Sequence, residues 1–146
     1  MAAFDILALV SRLSGELEKQ AVARFCFMEE QKIKKSLAPR VWDALADNLR
    51  KQAKRIGEVS PVDLLAERRS AYELRLTNRN SGRRVKLNYD PDVPCIHFEG
   101  FEGGGYFAFK VNPDGTQVQL FDVKRNIPVS IEDVAFDIVR TLTGQP

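Results

Sequence analysis

Near residue 71 the apolar residues of this chain stop recurring every three or four positions and begin to alternate. Steps of three and four lay one stripe along a helix, whereas alternation lays one face along a strand. The chain therefore reads as helical first and sheet-forming second. Helices and strands that are segregated in this way argue for an α+β fold, because the βαβ order that builds a parallel sheet is missing.

In the helical part, Ile6, Val10, Leu13 and Leu17 share one stripe, and Ala21, Phe25 and Met28 extend it. This predicts a first helix reaching the Lys32–Lys35 region. Gly15 disfavours a helix by about 1 kcal/mol relative to Ala and marks the expected break. The run Ala21–Met28 is rich in aromatics and also has strand character, but its spacing favours helix. Pro39 suits the first position of a second helix, where its missing N–H costs nothing. Trp42, Leu45, Leu49, Ala53 and Ile56 then line one face, and Gly57 is a natural stop. Ser60-Pro61-Val62-Asp63 resembles a capped helix start, which predicts a short helix to about Arg69.

Beyond the switch, Tyr72, Leu74 and Leu76 alternate with polar residues, as do Val85, Leu87 and Tyr89. The polar, glycine-containing stretch Asn78–Arg83 between them predicts a hairpin. A third strand is expected at Cys95–Glu99. Tyr106–Val111 and Gln117–Val123 form a second hairpin across Asn112-Pro113-Asp114-Gly115. Ser130, with Asp133 three residues later, opens a last helix lined by Ile131, Val134, Ile138 and Leu142 and stopped by Gly144. The expected fold has N-terminal helices to about residue 69 and an antiparallel sheet of about five strands over about 71–123. A C-terminal helix at about 130–143 packs on one sheet face.

At 146 residues and 16.5 kDa, the chain is expected to form one α+β domain over 1–146 that needs no metal or disulfide to fold. A hydrophobic fraction of 44% and a charged fraction of 29% exclude a disordered tail or a membrane-embedded chain. The stretch Met1–Ser14 is interrupted by Asp5 and Arg12, and no apolar run approaches the roughly 18–20 residues of a membrane span. Sparse cysteine usage points to a reducing, cytoplasmic location.

The inventory of reactive groups is small. His97 is the one histidine, and Cys26 and Cys95 are the two cysteines. Those three are fewer than a closed tetrahedral zinc site needs without carboxylates, so neither a metal nor another cofactor is expected. Cys95 and His97 fall on one face of a strand. Backbone rise alone separates them by roughly 6–7 Å, long for a direct thiol–imidazole contact. They read as a packed cysteine and a satisfied histidine. The glycines of Gly100–Gly105 lead into a strand and not a helix, so they form a turn and not a phosphate cradle. Phe98, Phe101 and Tyr106 beside that turn are a candidate small-ligand pocket. Asp90, Asp92, Glu99, Glu102 and Asp114 read as solvated loop acids, without the ligand order of a calcium loop. No catalytic set emerges, and the chain is not expected to be an enzyme.

Charge is the most informative global feature. Residues 1–89 hold 18 Lys and Arg against 11 Asp and Glu, while residues 90–146 hold 4 against 9. This division suits a polarised surface, or oppositely charged faces that pair within or between chains. The first functional expectation is a cytoplasmic, non-catalytic protein-interaction module, homo-oligomers included, with its patch along Phe4–Phe27 or on the second sheet face. The second is nucleic-acid binding. Arg50, Lys51, Lys54 and Arg55 on the second helix, with Arg79, Arg83, Arg84 and Lys86 around the first hairpin, would then meet phosphates. Arg75 extends that hairpin set.

Overall fold

A computed structural model describes the backbone of residues 2–144 and the side chains of residues 9–144. The ends of the 1–146 span, and the side chains of Phe4 and Ile6 in the expected patch and stripe, lie outside the described residues. The chain opens with helix α1 (Ala2–Val59). Seven strands follow: β1 (Leu64–Ser70), β2 (Glu73–Asn78), β3 (Arg84–Asp90), β4 (Cys95–Glu99), β5 (Gly105–Val111), β6 (Val118–Asp122) and β7 (Ile127–Val129). Helix α2 (Ile131–Thr143) closes the fold. The strands are antiparallel and lie side by side in chain order, so the sheet is one long meander.

Alternation sorts the strands' side chains onto two faces. Leu74, Leu76, Val85, Leu87, Ile96, Phe98, Phe107, Phe109 and Leu120 are buried together with Trp42, Leu45 and Leu49 of α1 and Val134, Ile138 and Leu142 of α2. α1 touches β1 on one side and β5 and β6 on the other, so the sheet curls around it. α2 lies against β2, β3 and α1. Its caps are those read from the sequence. Ser130 Oγ accepts from the Asp133 N–H at 3.0 Å, and Gly144 closes the helix with φ 74°. The Asn78 side-chain amide donates to the Leu142 carbonyl at 2.8 Å, and Arg83 Nη1 donates to the Thr141 carbonyl at 3.1 Å, which the Gly144 N–H also reaches, so the strands tie down the last turn of the helix.

The helical half departs from expectation in three ways. Neither Gly15 nor Pro39 breaks the helix: one α1 runs to Val59, past Gly57. Pro39 denies the Lys35 carbonyl its intrahelical donor, but its ring faces solvent while Ala38 and Trp42 on either side are buried, and that packing holds the turn in helical form. The short helix to Arg69 is instead β1. Ser60 Oγ accepts from the Val62 N–H at 3.2 Å in a local turn, and the Asp63 N–H goes to Asn80 Oδ1 at 2.7 Å, so the expected cap closes a loop. The open edge of β2 then supplies β1 with a ladder of backbone partners. The sheet has seven strands and not about five, because β1 and the three-residue edge strand β7 join it. None of the described helices is long and apolar enough to cross a membrane.

Candidate functional site

The first candidate surface is the exposed part of α1. From residue 9 to residue 28 every position except Gly15 is exposed. Val10, Leu13, Leu17, Phe25 and Met28 are 54, 48, 65, 65 and 59% accessible. These values decide the matter of burial: from Val10 to Met28 the stripe read from the sequence is helical, but no other part of the described chain covers it. Among the described side chains of α1, the first buried one is Ala38. With a rise of about 1.5 Å per residue, α1 is about 87 Å long, and its stretch from residue 9 to residue 28 stands uncovered by the described chain.

The sequence-expected basic set is divided by the fold. Arg79 pairs with Asp63 at 2.9 Å, Lys86 with Glu73 at 3.2 Å, and Arg83 caps α2. Arg75 lies 3.8 Å from the same Glu73. Arg50, Lys51, Lys54, Arg55 and Arg84 have no salt bridge among the described residues. Lys51 and Arg55 line an open groove of about 710 Å³ between α1 and α2, whose other wall holds Glu132, Asp133 and the exposed Phe136. Cations there share their space with carboxylates, an arrangement unlike a stripe of phosphate ligands. Every salt bridge among the described residues joins groups within 1–89 or within 90–146. The charge division is thus not closed by ion pairs within the described chain.

The aromatic trio does not converge. Phe98 and Phe101 are core residues in edge-on contact, with ring centres 5.3 Å apart. Tyr106 stands on the other sheet face beside His97, at 5.8 Å. The glycine segment between them is a turn, closed by the Gly104 N–H donating to the Phe101 carbonyl at 2.9 Å.

Cys95 and His97 depart from the expected separation. Their side chains lean together on the open sheet face, with Sγ 3.3 Å from Nε2. The register places Asp90 of β3 directly opposite Cys95, so its carboxylate joins them. Cys95 is buried and His97 exposed. Burial pushes the Cys95 thiol pKa upward, and the neighbouring Asp90 charge adds to that shift. The Asp90 carboxylate is itself held by the N–H groups of Asp92 at 2.9 Å and Val93 at 3.4 Å. Sequence spacing could pair Cys95 with His97, but the strand register that brings in Asp90 carries no local signal.

No protein-family model matches the chain, and no curated protein or solved structure matches it.

Proposed function

We propose that this protein is an interaction module that self-associates through the exposed stretch of α1 from residue 9 to residue 28, the occupant of its apolar stripe being a second copy of the same helix. The uncovered stripe carries this reading. Most helical stability in proteins comes from packing an amphipathic face, and a helix with Gly15 in its middle has little intrinsic reserve. A contiguous apolar surface of this kind marks an interaction site.

The spacing favours a particular arrangement. Val10, Leu13, Leu17, Ala21, Phe25 and Met28 are separated by 3, 4, 4, 4 and 3 residues, an order that is the same in both chain directions. Two copies laid antiparallel about position 19 therefore match layer for layer: Val10 meets Met28, Leu13 meets Phe25 and Leu17 meets Ala21. Such a contact is isologous and closes on itself as a two-fold dimer. Charge points the same way. Arg24 lies within the stripe, one heptad after Leu17. A parallel pair sets the two Arg24 side chains against each other, whereas the antiparallel pair sets each against Ser14 and within a turn of Glu16.

Sedimentation equilibrium of the full chain tests the reading. The wild type is expected at twice 16.5 kDa and the double variant Leu17→Glu, Phe25→Glu at the monomer mass with an unchanged sheet signature. A wild-type monomer across the micromolar range, or a dimer indifferent to both charges, contradicts it.

A further inference from the structure

We infer that Asp90, Cys95 and His97 form a binding site for a borderline divalent transition ion, zinc foremost, on the open face of the sheet. Their ligand atoms all lie within 4.8 Å of one another. Tetrahedral zinc holds sulfur at about 2.3 Å and imidazole nitrogen at about 2.0 Å, which separates the two ligand atoms by about 3.5 Å. The Cys95–His97 separation of 3.3 Å is already close to that bite. An oxygen of the Asp90 carboxylate, within 4.8 Å of both, completes the set.

The surroundings suit a metal as well as the distances do. Two ligands come from one strand and the third from its hydrogen-bonded neighbour, so a rigid ladder sets their spacing. The backbone N–H groups of Asp92 and Val93 orient the Asp90 carboxylate, as supporting hydrogen bonds do around metal ligands. One sulfur, one nitrogen and one oxygen donor select zinc-like ions over magnesium or calcium, which take oxygen ligands. With three protein ligands and an exposed His97, the fourth position belongs to water or to an incoming ligand. The site shares no residue with the α1 stripe and stands apart from the self-association reading.

Cobalt(II) is the probe, because a cobalt–thiolate bond gives a near-ultraviolet charge-transfer band. The full chain with the exposed Cys26 changed to Ser is titrated with cobalt chloride, and zinc chloride is then added. The expected result is a band saturating at one ion per chain, displaced by zinc and absent from the Cys26→Ser, Cys95→Ser chain. His97→Ala and Asp90→Asn should each weaken binding at least tenfold. No band, or a band whose titration is unchanged by both His97→Ala and Asp90→Asn, overturns the proposal. His97 is exposed, so its variant decides the matter even where Cys95→Ser fails to fold.

Discussion

The indole Nε1 of Trp42 donates to the backbone carbonyl of Ala71 at 2.8 Å, across 29 positions of sequence. This bond ties the packed half of α1 to the turn between β1 and β2, and the same indole stacks on Tyr89 with ring centres 5.7 Å apart. Trp42→Phe keeps much of the packing but leaves the carbonyl without this donor, and is expected to destabilise by about 1–3 kcal/mol. Trp42→Ala adds the cavity and should cost about 3–5 kcal/mol. Urea unfolding followed by circular dichroism measures both, and equal losses would contradict the separate role of the hydrogen bond.

Tyr89 shows the opposite situation. Its ring is buried between Trp42 and Phe109, but its hydroxyl is buried without a hydrogen-bond partner. A buried polar atom without a partner costs about 1–3 kcal/mol. Tyr89→Phe is therefore expected to be neutral or to stabilise by up to about 1 kcal/mol, read as an unchanged or raised Tm. A clear drop would mean that the hydroxyl is satisfied in solution.

Two glycines should respond in opposite directions to the same substitution. At Gly15 an added Cβ meets nothing within 4 Å. Gly15→Ala should stabilise the exposed stretch of α1 by about 0.5–1 kcal/mol, measured as slower amide exchange there. At Gly100, φ is +78° and an added Cβ would lie 2.1 Å from the Arg84 carbonyl oxygen. Gly100→Ala must displace backbone as well as strain it, and a loss of about 3 kcal/mol or more is expected.

Asp114 sets an acid-side dependence. Hydrogen bonds from the Thr116 hydroxyl at 2.7 Å and the Thr116 N–H at 3.2 Å hold its carboxyl below the ordinary 3.8. A folded-state value below the unfolded one adds stability to the turn at pH above about 4, and that contribution disappears as pH falls through the folded value. An NMR titration should find a midpoint below 3.8 that moves back toward it in Thr116→Val. A midpoint the variant does not move would contradict the role of the hydroxyl.

How much of this was legible depended on where the deciding interaction lies. β2 to β6 and α2 were readable because alternation, turn residues and caps are local. β1 was not: Ser60-Pro61 carries a true local signal for a helix start, and pairing with the edge of β2 overrides it. Pro39 misled for the same reason, since the packing of Ala38 and Trp42 outweighs a lost backbone bond. The stripe from Val10 to Met28 was visible, but sequence cannot show that no other part of the described chain covers it. The closeness of Cys95 and His97 was not legible, because backbone rise spaces them apart and the leaning of their side chains sets the actual distance. Asp90, brought in by register, had no sequence signal.

The arrangement of α1 against a second copy is tested most directly by disulfide trapping. In a chain carrying Cys26→Ser and Cys95→Ser, Leu13→Cys and Phe25→Cys are made separately and oxidised alone and mixed. Cysteines must approach to about 4.4–6.8 Å between Cα atoms to be bridged. Antiparallel self-association predicts covalent dimers in the mixture and little in either chain alone. Dimers from each chain alone would instead show a parallel pair, and no covalent dimer in any tube would contradict self-association through this helix.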